Sequence, residues 1–191
     1  MRKMTILILA ITELCFLNTT VYAQRQTSLL EYLMYVRTSC ERFESDAKYY
    51  SRELTYLGET NYTGDGAIHV VGNEVKKYLA HNVWGHGDAY VYVECVGGDV
   101  SFIEVEFLAP KTKSIGKERL LEAAEIFDWG NHVFEKSFGS PQKSTYDDVE
   151  NMVRNVICTW SGPDGVEISC VLKIDHNIQG NAEVLVRYKV F

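Results

Sequence analysis

The chain has 191 residues, of which 46% are hydrophobic and 24% are charged, and its formal net charge is −7. Such a length can bury a core without relying on cross-links. The acidic balance argues against a nucleic-acid partner, because nucleic-acid binding relies on Lys and Arg to neutralise phosphates. A cationic protein or a neutral glycan fits this charge better.

The first 23 residues have the pattern of a cleavable signal peptide. Arg2 and Lys3 form a positive start, residues 6–17 are largely apolar, and Val21 and Ala23 are the small residues that precede a cut. Cleavage leaves 168 residues with 17 basic and 25 acidic side chains, a formal charge of −8. No later stretch is apolar for long enough to remain in a membrane. We therefore expect a periplasmic or secreted protein.

The most regular pattern in the mature sequence is an apolar stripe, spaced alternately by four and three residues over 29 positions. Its members are Leu29, Leu33, Val36, Cys40, Phe43, Ala47, Tyr50, Leu54 and Leu57. The spacing predicts one long N-terminal helix, with Ser28 and Glu31 as a capping box and Gly58 at its end. Cys40 and Tyr50 are poor coiled-coil residues, so a helix packed on a sheet is favoured over a coiled-coil dimer.

Residues 67–108 alternate between polar and apolar side chains with a period of two, which is typical of strands. The inward set of the predicted hairpin is Val91, Val93, Cys95, Ile103, Val105 and Phe107. A two-residue turn would place the apolar members of one strand opposite the polar members of the other. We therefore predict a three-residue turn over residues 97–99.

The outward face of this hairpin carries aromatic and acidic side chains together. These are Tyr90, Tyr92, Glu94, Phe102, Glu104 and Glu106, which form the aromatic–acidic strip. The predicted register pairs Tyr92 with Glu104. Tyrosine is enriched in interface cores, and carboxylates select a cationic partner, so we predict that the strip binds a protein partner. Another part of the molecule could instead cover this face, but unpaired glutamates are seldom buried.

The second half of the chain repeats a helix followed by strands. A second helical region is expected over residues 120–138, with a break at 129–131 and an end at Gly139. Strands follow at 156–160 and 168–174, and a final strand at 182–190 leaves an open edge. We predict an α+β fold with both helical regions on antiparallel hairpins.

The domain organisation has two interpretations. Residues 24–109 and 110–191 each contain a helix and a sheet segment, so they form either two tandem αβ units or one continuous domain. A weak internal similarity, which aligns Cys95 with Cys170, favours neither interpretation decisively. The tandem layout is similar to that of some tandem-repeat secreted inhibitors in architecture alone, and architecture does not establish function.

Four cysteines in an exported chain predict two disulfides, for which three pairings exist. Cys158 and Cys170 stand opposite each other across a predicted hairpin, and a bridge is reachable if that pair is of the closer, non-hydrogen-bonded type. Cys40 and Cys95 then remain to join the helix to the first hairpin. A catalytic thiol is disfavoured because all four cysteines lie on apolar faces.

His81, His86 and Asp88 form the one cluster that suggests enzyme chemistry, but their spacing matches no standard zinc motif. No metal or other cofactor is predicted. The sequence favours an exported non-enzymatic binding protein, an inhibitor or immunity-type protein that neutralises a protein partner. The alternatives are a small exported hydrolase that uses His86, Asp88 or carboxylates brought together by the fold, and a component of an envelope assembly that pairs through its final strand.

Overall fold

The computed structural model describes residues 35–50, 54–60, 74–81, 83–107, 117–148, 152–176 and 181–190. The predicted signal peptide and the first residues of the predicted N-terminal helix lie outside these ranges. Over the described residues the fold is α+β, as predicted. One eight-stranded antiparallel sheet carries two helices on one of its faces.

Two helices and eight strands follow one another along the described chain. They are α1 (Cys40–Tyr50), β1 (Leu54–Glu59), β2 (Glu74–Ala80), β3 (Ala89–Val96), β4 (Asp99–Phe107), α2 (Lys117–Phe138), β5 (Gln142–Asp148), β6 (Val153–Ser161), β7 (Val166–Asp175) and β8 (Asn181–Val190). The order in the sheet is β1-β2-β3-β4-β8-β7-β6-β5. Each helix is thus followed by a four-stranded meander, and the two meanders join where β4 pairs with β8.

The order of elements in the first half recurs in the second. Cys95 lies on the third strand of the first meander, and Cys170 lies on the third strand of the second. This order agrees with the interpretation of residues 24–109 and 110–191 as tandem αβ units. A duplication stays a prediction, because the same order of elements can arise without one.

The prediction of one long N-terminal helix is wrong over the residues that the structure describes. Helix α1 begins only at Cys40, because Arg37 has a φ of 72° and interrupts any helix before it. The chain here bonds to the sheet instead: Arg37 N–H donates to the Val100 carbonyl, and Val100 N–H donates to the Thr38 carbonyl, each at 2.8 Å. Tertiary hydrogen bonds therefore override the apolar periodicity.

The far end of the predicted helix is a strand. Leu54 and Leu57 belong to β1, which pairs with β2 at one edge of the sheet. Gly58, expected to end the helix, lies at an irregularity in this pairing with a φ of 117°. Its freedom from a β-carbon permits that backbone conformation.

The β3–β4 hairpin has the predicted register but not the predicted turn. Gly97 and Gly98 form a two-residue turn with φ values of 62° and 93°, and positive φ at both positions suits a tight hairpin. Between the pairs of Glu94 and Cys95 the partner strand skips Ser101. A two-residue turn plus this one-residue bulge keeps both apolar sets on one face, as the longer turn would have done.

Helix α2 runs without the predicted break from Lys117 to Phe138. Gly130 lies inside the helix and does not interrupt it. A β-carbon at this position would lie 3.3 Å from the Cys170 sulfur, so glycine allows α2 to pack closely on β7. The helix ends as predicted before Gly139, which has a φ of 83°. Neither helix of the described residues is long and apolar enough to cross a membrane.

The final strand is not the open edge that the envelope-assembly hypothesis requires. Strand β8 lies between β4 and β7, and the edges of the sheet are β1 and β5. Strand β5 was not predicted, because the exposed polar run Gln142–Thr145 shows no apolar alternation.

The core lies between the two helices and the inward face of the sheet. Val91, Ile103 and Val105 are fully buried at its centre. Phe43 of α1 contacts the Tyr78 ring edge-on, with 5.8 Å between ring centroids. Phe134 of α2 packs against Trp160, with 5.2 Å between ring centroids. The helices thus cover the inward face at two separate places.

The predicted disulfide between Cys40 and Cys95 is confirmed, and it joins the start of α1 to β3. The two Cα atoms are 6.3 Å apart, within the usual range. The second predicted disulfide is absent from the structure: Cys158 and Cys170 are both free, buried thiols.

Candidate binding surface

The aromatic–acidic strip occupies the sheet face opposite the helices, with the register that the sequence predicts. The cross-strand pairs are Tyr90 with Glu106, Tyr92 with Glu104, and Glu94 with Phe102. Alternation along β3 and β4 places all six residues on the same face. The pairing of β4 with β8 continues this face into the second meander, with Glu104 opposite Arg187.

Two contacts hold the Tyr90 end of the strip in a fixed arrangement. The Tyr92 hydroxyl donates to the Glu106 carboxylate at 3.0 Å, diagonally across the hairpin. The Lys77 ammonium lies 3.6 Å from the Tyr90 ring centroid and 5.3 Å from that of Tyr92. The site therefore contains a cation over an aromatic face beside a carboxylate.

Lys77 is a member of this site that the sequence analysis missed. It lies opposite Tyr92 in the pairing of β2 with β3. Lys77 shares its face of β2 with the apolar residues Val75 and Leu79, so alternation along this strand did not mark that face as outward. Only the register between β2 and β3 places Lys77 beside the tyrosines, and the length of the loop between these strands did not predict that register.

The six residues of the strip differ in their exposure to solvent. Glu104 is completely buried, and Tyr92, Glu94 and Phe102 are nearly so. Tyr90 and Glu106 remain partly exposed. Access from solvent is therefore concentrated at the Tyr90–Glu106 end, together with partly exposed Lys77.

The other end of the strip is stabilised by the bulge. The Ser101 hydroxyl donates to the Glu94 carboxylate at 2.9 Å. A buried carboxylate needs such donors, because removing its hydration without a hydrogen bond is costly. Ser101 is the residue that the β3 partner register skips, so the bulge supplies this donor. The Glu94 end is consequently a structural part of the hairpin.

The histidine cluster is arranged differently from the predicted catalytic set. The Asp88 carboxylate lies 3.1 Å from Nδ1 of His81, and the His86 ring packs against Trp129 of α2 at 4.8 Å between centroids. His86 thus joins the loop before β3 to the helix. Within the described residues no group of three His, Cys, Asp or Glu side chains is placed to hold a metal ion.

The two free thiols are poorly suited to nucleophilic chemistry. Burial is the main cause that raises the pKa of both the Cys158 and the Cys170 thiols. The thiolate is the reactive form, so a raised pKa leaves very little of it at neutral pH.

No family model, curated protein or solved structure matches this chain.

Proposed function

We propose that this chain is an exported, non-enzymatic binding protein that neutralises a cationic protein partner through the Tyr90–Glu106 end of the aromatic–acidic strip. The observation that carries this proposal is the Lys77 ammonium over the Tyr90 ring, 3.6 Å from its centroid. This contact supports the proposal, because the Tyr90 ring already accommodates an ammonium group of the same chain. A Lys or Arg side chain of a partner would replace Lys77 over the Tyr90 ring and would pair with the Glu106 carboxylate.

The overall charge supports the same partner class. The sequence carries a formal charge of −7, which steers a cationic protein towards it and repels an acidic one. The predicted signal peptide supports a role in the periplasm or outside the cell. An inhibitor or immunity-type protein needs a preorganised surface rather than catalytic groups, and the Tyr92–Glu106 hydrogen bond provides such preorganisation.

The first prediction concerns the Tyr90 ring. The partner is first captured from the native host's envelope and culture fluid on the immobilised disulfide-bonded protein, and is then purified. Tyr90→Ala is expected to weaken its binding about 10- to 30-fold, as the loss of an aromatic hot-spot residue does. Isothermal titration calorimetry of the wild type and the variant measures this difference.

Tyr56→Ala is the matched control for that experiment. Tyr56 is 52% exposed on edge strand β1, so the same ring is removed from a different surface. It should leave affinity within about twofold of the wild type. Equal losses from both variants, or no loss from Tyr90→Ala in a protein whose circular dichroism is unchanged, would contradict the proposed surface.

A second prediction concerns the charge of Glu106. Glu106→Gln keeps an oxygen that can accept from the Tyr92 hydroxyl but removes the negative charge that attracts a cation. We expect a slower association rate at low salt, and a smaller difference from the wild type as the salt concentration rises. Surface plasmon resonance over a series of NaCl concentrations measures this effect. A rate loss that does not depend on salt would refute the electrostatic part of the proposal.

A further inference from the structure

Cys158 and Cys170 stand directly opposite each other on β6 and β7, and the hydrogen bonds at both ends of this hairpin define their pair type. Gly162 N–H donates to the Val166 carbonyl at 2.6 Å, and His176 N–H donates to the Met152 carbonyl at 2.8 Å. The register between these ends is continuous. Hydrogen-bonded pairs in an antiparallel ladder recur at every second residue, so both ends assign Cys158 and Cys170 to a hydrogen-bonded pair.

A hydrogen-bonded pair is the wrong type for an easy cross-strand disulfide. Its Cα atoms are about 5.5 Å apart, which a disulfide can span, so the restriction comes from the separation of the Cβ atoms. Its Cβ atoms lie at the wide end of a range of about 4.5–5.5 Å, whereas a disulfide needs about 3.5–4.5 Å. The condition under which the sequence predicted this bridge is therefore not met, which explains why the two residues are thiols.

Helix α2 also restricts the position of the Cys170 sulfur. The Cys170 sulfur is completely buried, 4.0 Å from the Phe127 carbonyl oxygen, and a β-carbon at Gly130 would lie 3.3 Å from it. The helix backbone therefore leaves the sulfur little room to adjust its position. Burial also raises the pKa of both thiols, which slows thiol–disulfide exchange.

We infer that Cys158 and Cys170 form a buried dithiol that stays reduced in the folded protein under conditions that oxidise Cys40 and Cys95. The folded protein then carries one disulfide and two protected thiols. This inference is independent of the proposed binding function. It departs from the usual expectation for an oxidising compartment, in which four cysteines would form two bridges.

The test begins with folded, fully reduced protein, to which oxidised glutathione is added. One protein thiolate attacks oxidised glutathione and releases one glutathione, and the second protein thiolate then displaces the other glutathione from the mixed disulfide to form the protein disulfide. Samples are quenched with acid, alkylated in guanidinium chloride, and analysed by intact mass and peptide mapping. We expect the Cys40–Cys95 disulfide to form while Cys158 and Cys170 are recovered as alkylated thiols.

The neighbouring pair of residues provides a control that is partly exposed and of the other pair type. Thr159 and Ser169 are directly opposite, one step along the same ladder and therefore in a non-hydrogen-bonded pair. In a Cys158→Ala, Cys170→Ala background, Thr159→Cys with Ser169→Cys should form its disulfide at least about tenfold faster. The inference would be overturned if a Cys158–Cys170 disulfide formed in the folded protein as fast as the control disulfide. Glutathione adducts on Cys158 or Cys170 that form at that rate would overturn it too.

Discussion

Replacing Cys40 and Cys95 with alanine should lower the free energy of unfolding by about 4 kcal/mol, because their disulfide closes a long loop. The two residues are 55 positions apart, so the bond removes much conformational freedom from the unfolded chain. It also holds α1 against β3, beside the turn that presents the strip. Guanidinium denaturation at pH 7, followed by tryptophan fluorescence, measures the difference between the wild type and Cys40→Ala, Cys95→Ala.

Reduction of the wild type provides an internal control for that result. Cys158 and Cys170 are already thiols, so dithiothreitol should remove only the Cys40–Cys95 bond. The reduced wild type and the double variant should therefore unfold at similar denaturant concentrations, both lower than for the oxidised wild type. A loss below about 1 kcal/mol in both would mean that the disulfide constrains the unfolded chain far less than its loop length implies.

Phe134→Ala is expected to destabilise the protein by about 3–5 kcal/mol, which is the range for truncating a buried aromatic side chain. Phe134 is fully buried on α2, and its ring packs against Trp160 of β6. The Trp160 indole N–H donates to the Gly139 carbonyl at 3.0 Å, so the same tryptophan also holds the end of α2. Equilibrium denaturation of the oxidised variant measures the loss.

Leu121→Ala is the matched control on the same helix. Leu121 is 54% exposed, so its truncation should change the free energy of unfolding by no more than about 0.5 kcal/mol. Similar losses from both variants would argue against the packing of α2 on β6 through Phe134. A large loss from Phe134→Ala alone would support it.

The N-terminal region shows how far periodicity can predict this fold. The apolar spacing from Leu29 to Leu57 is regular, yet Leu54 and Leu57 lie in a strand and residues 35–38 form a turn. No Gly or Pro marks that turn, and Arg37 adopts a positive φ that local sequence does not favour. The hydrogen bonds that fix it come from Val100, which is remote in sequence. A pattern confined to one window cannot contain that information.

The β3–β4 hairpin shows the opposite case. Alternation alone predicted which side chains face each other, because only one parity buries both apolar sets. The same parity is produced by a three-residue turn and by a two-residue turn with a bulge, so the sequence could not distinguish them. The consecutive glycines Gly97 and Gly98 were the local signal for the shorter turn.

The sequence predicted which six strip residues share a face, but it predicted neither their exposure to solvent nor the position of Lys77. Alternation placed the six strip residues on one face, but it did not show that Glu104 would be fully buried while Tyr90 stays partly exposed. Burial depends on what lies beside each residue in the complete sheet. Lys77 was missed for the same reason, since it reaches Tyr90 only through the pairing of β2 with β3.

Photo-crosslinking from position 90 tests the proposed recognition surface most directly. Benzoylphenylalanine in place of Tyr90 is irradiated in the host's envelope and culture fluid, beside a protein that carries it in place of Tyr56. The proposal predicts that position 90 forms an adduct with one cationic protein and that position 56 does not. An excess of unlabelled wild-type protein should suppress this adduct. Adducts from position 56 alone, or none that the wild type can suppress, would contradict it.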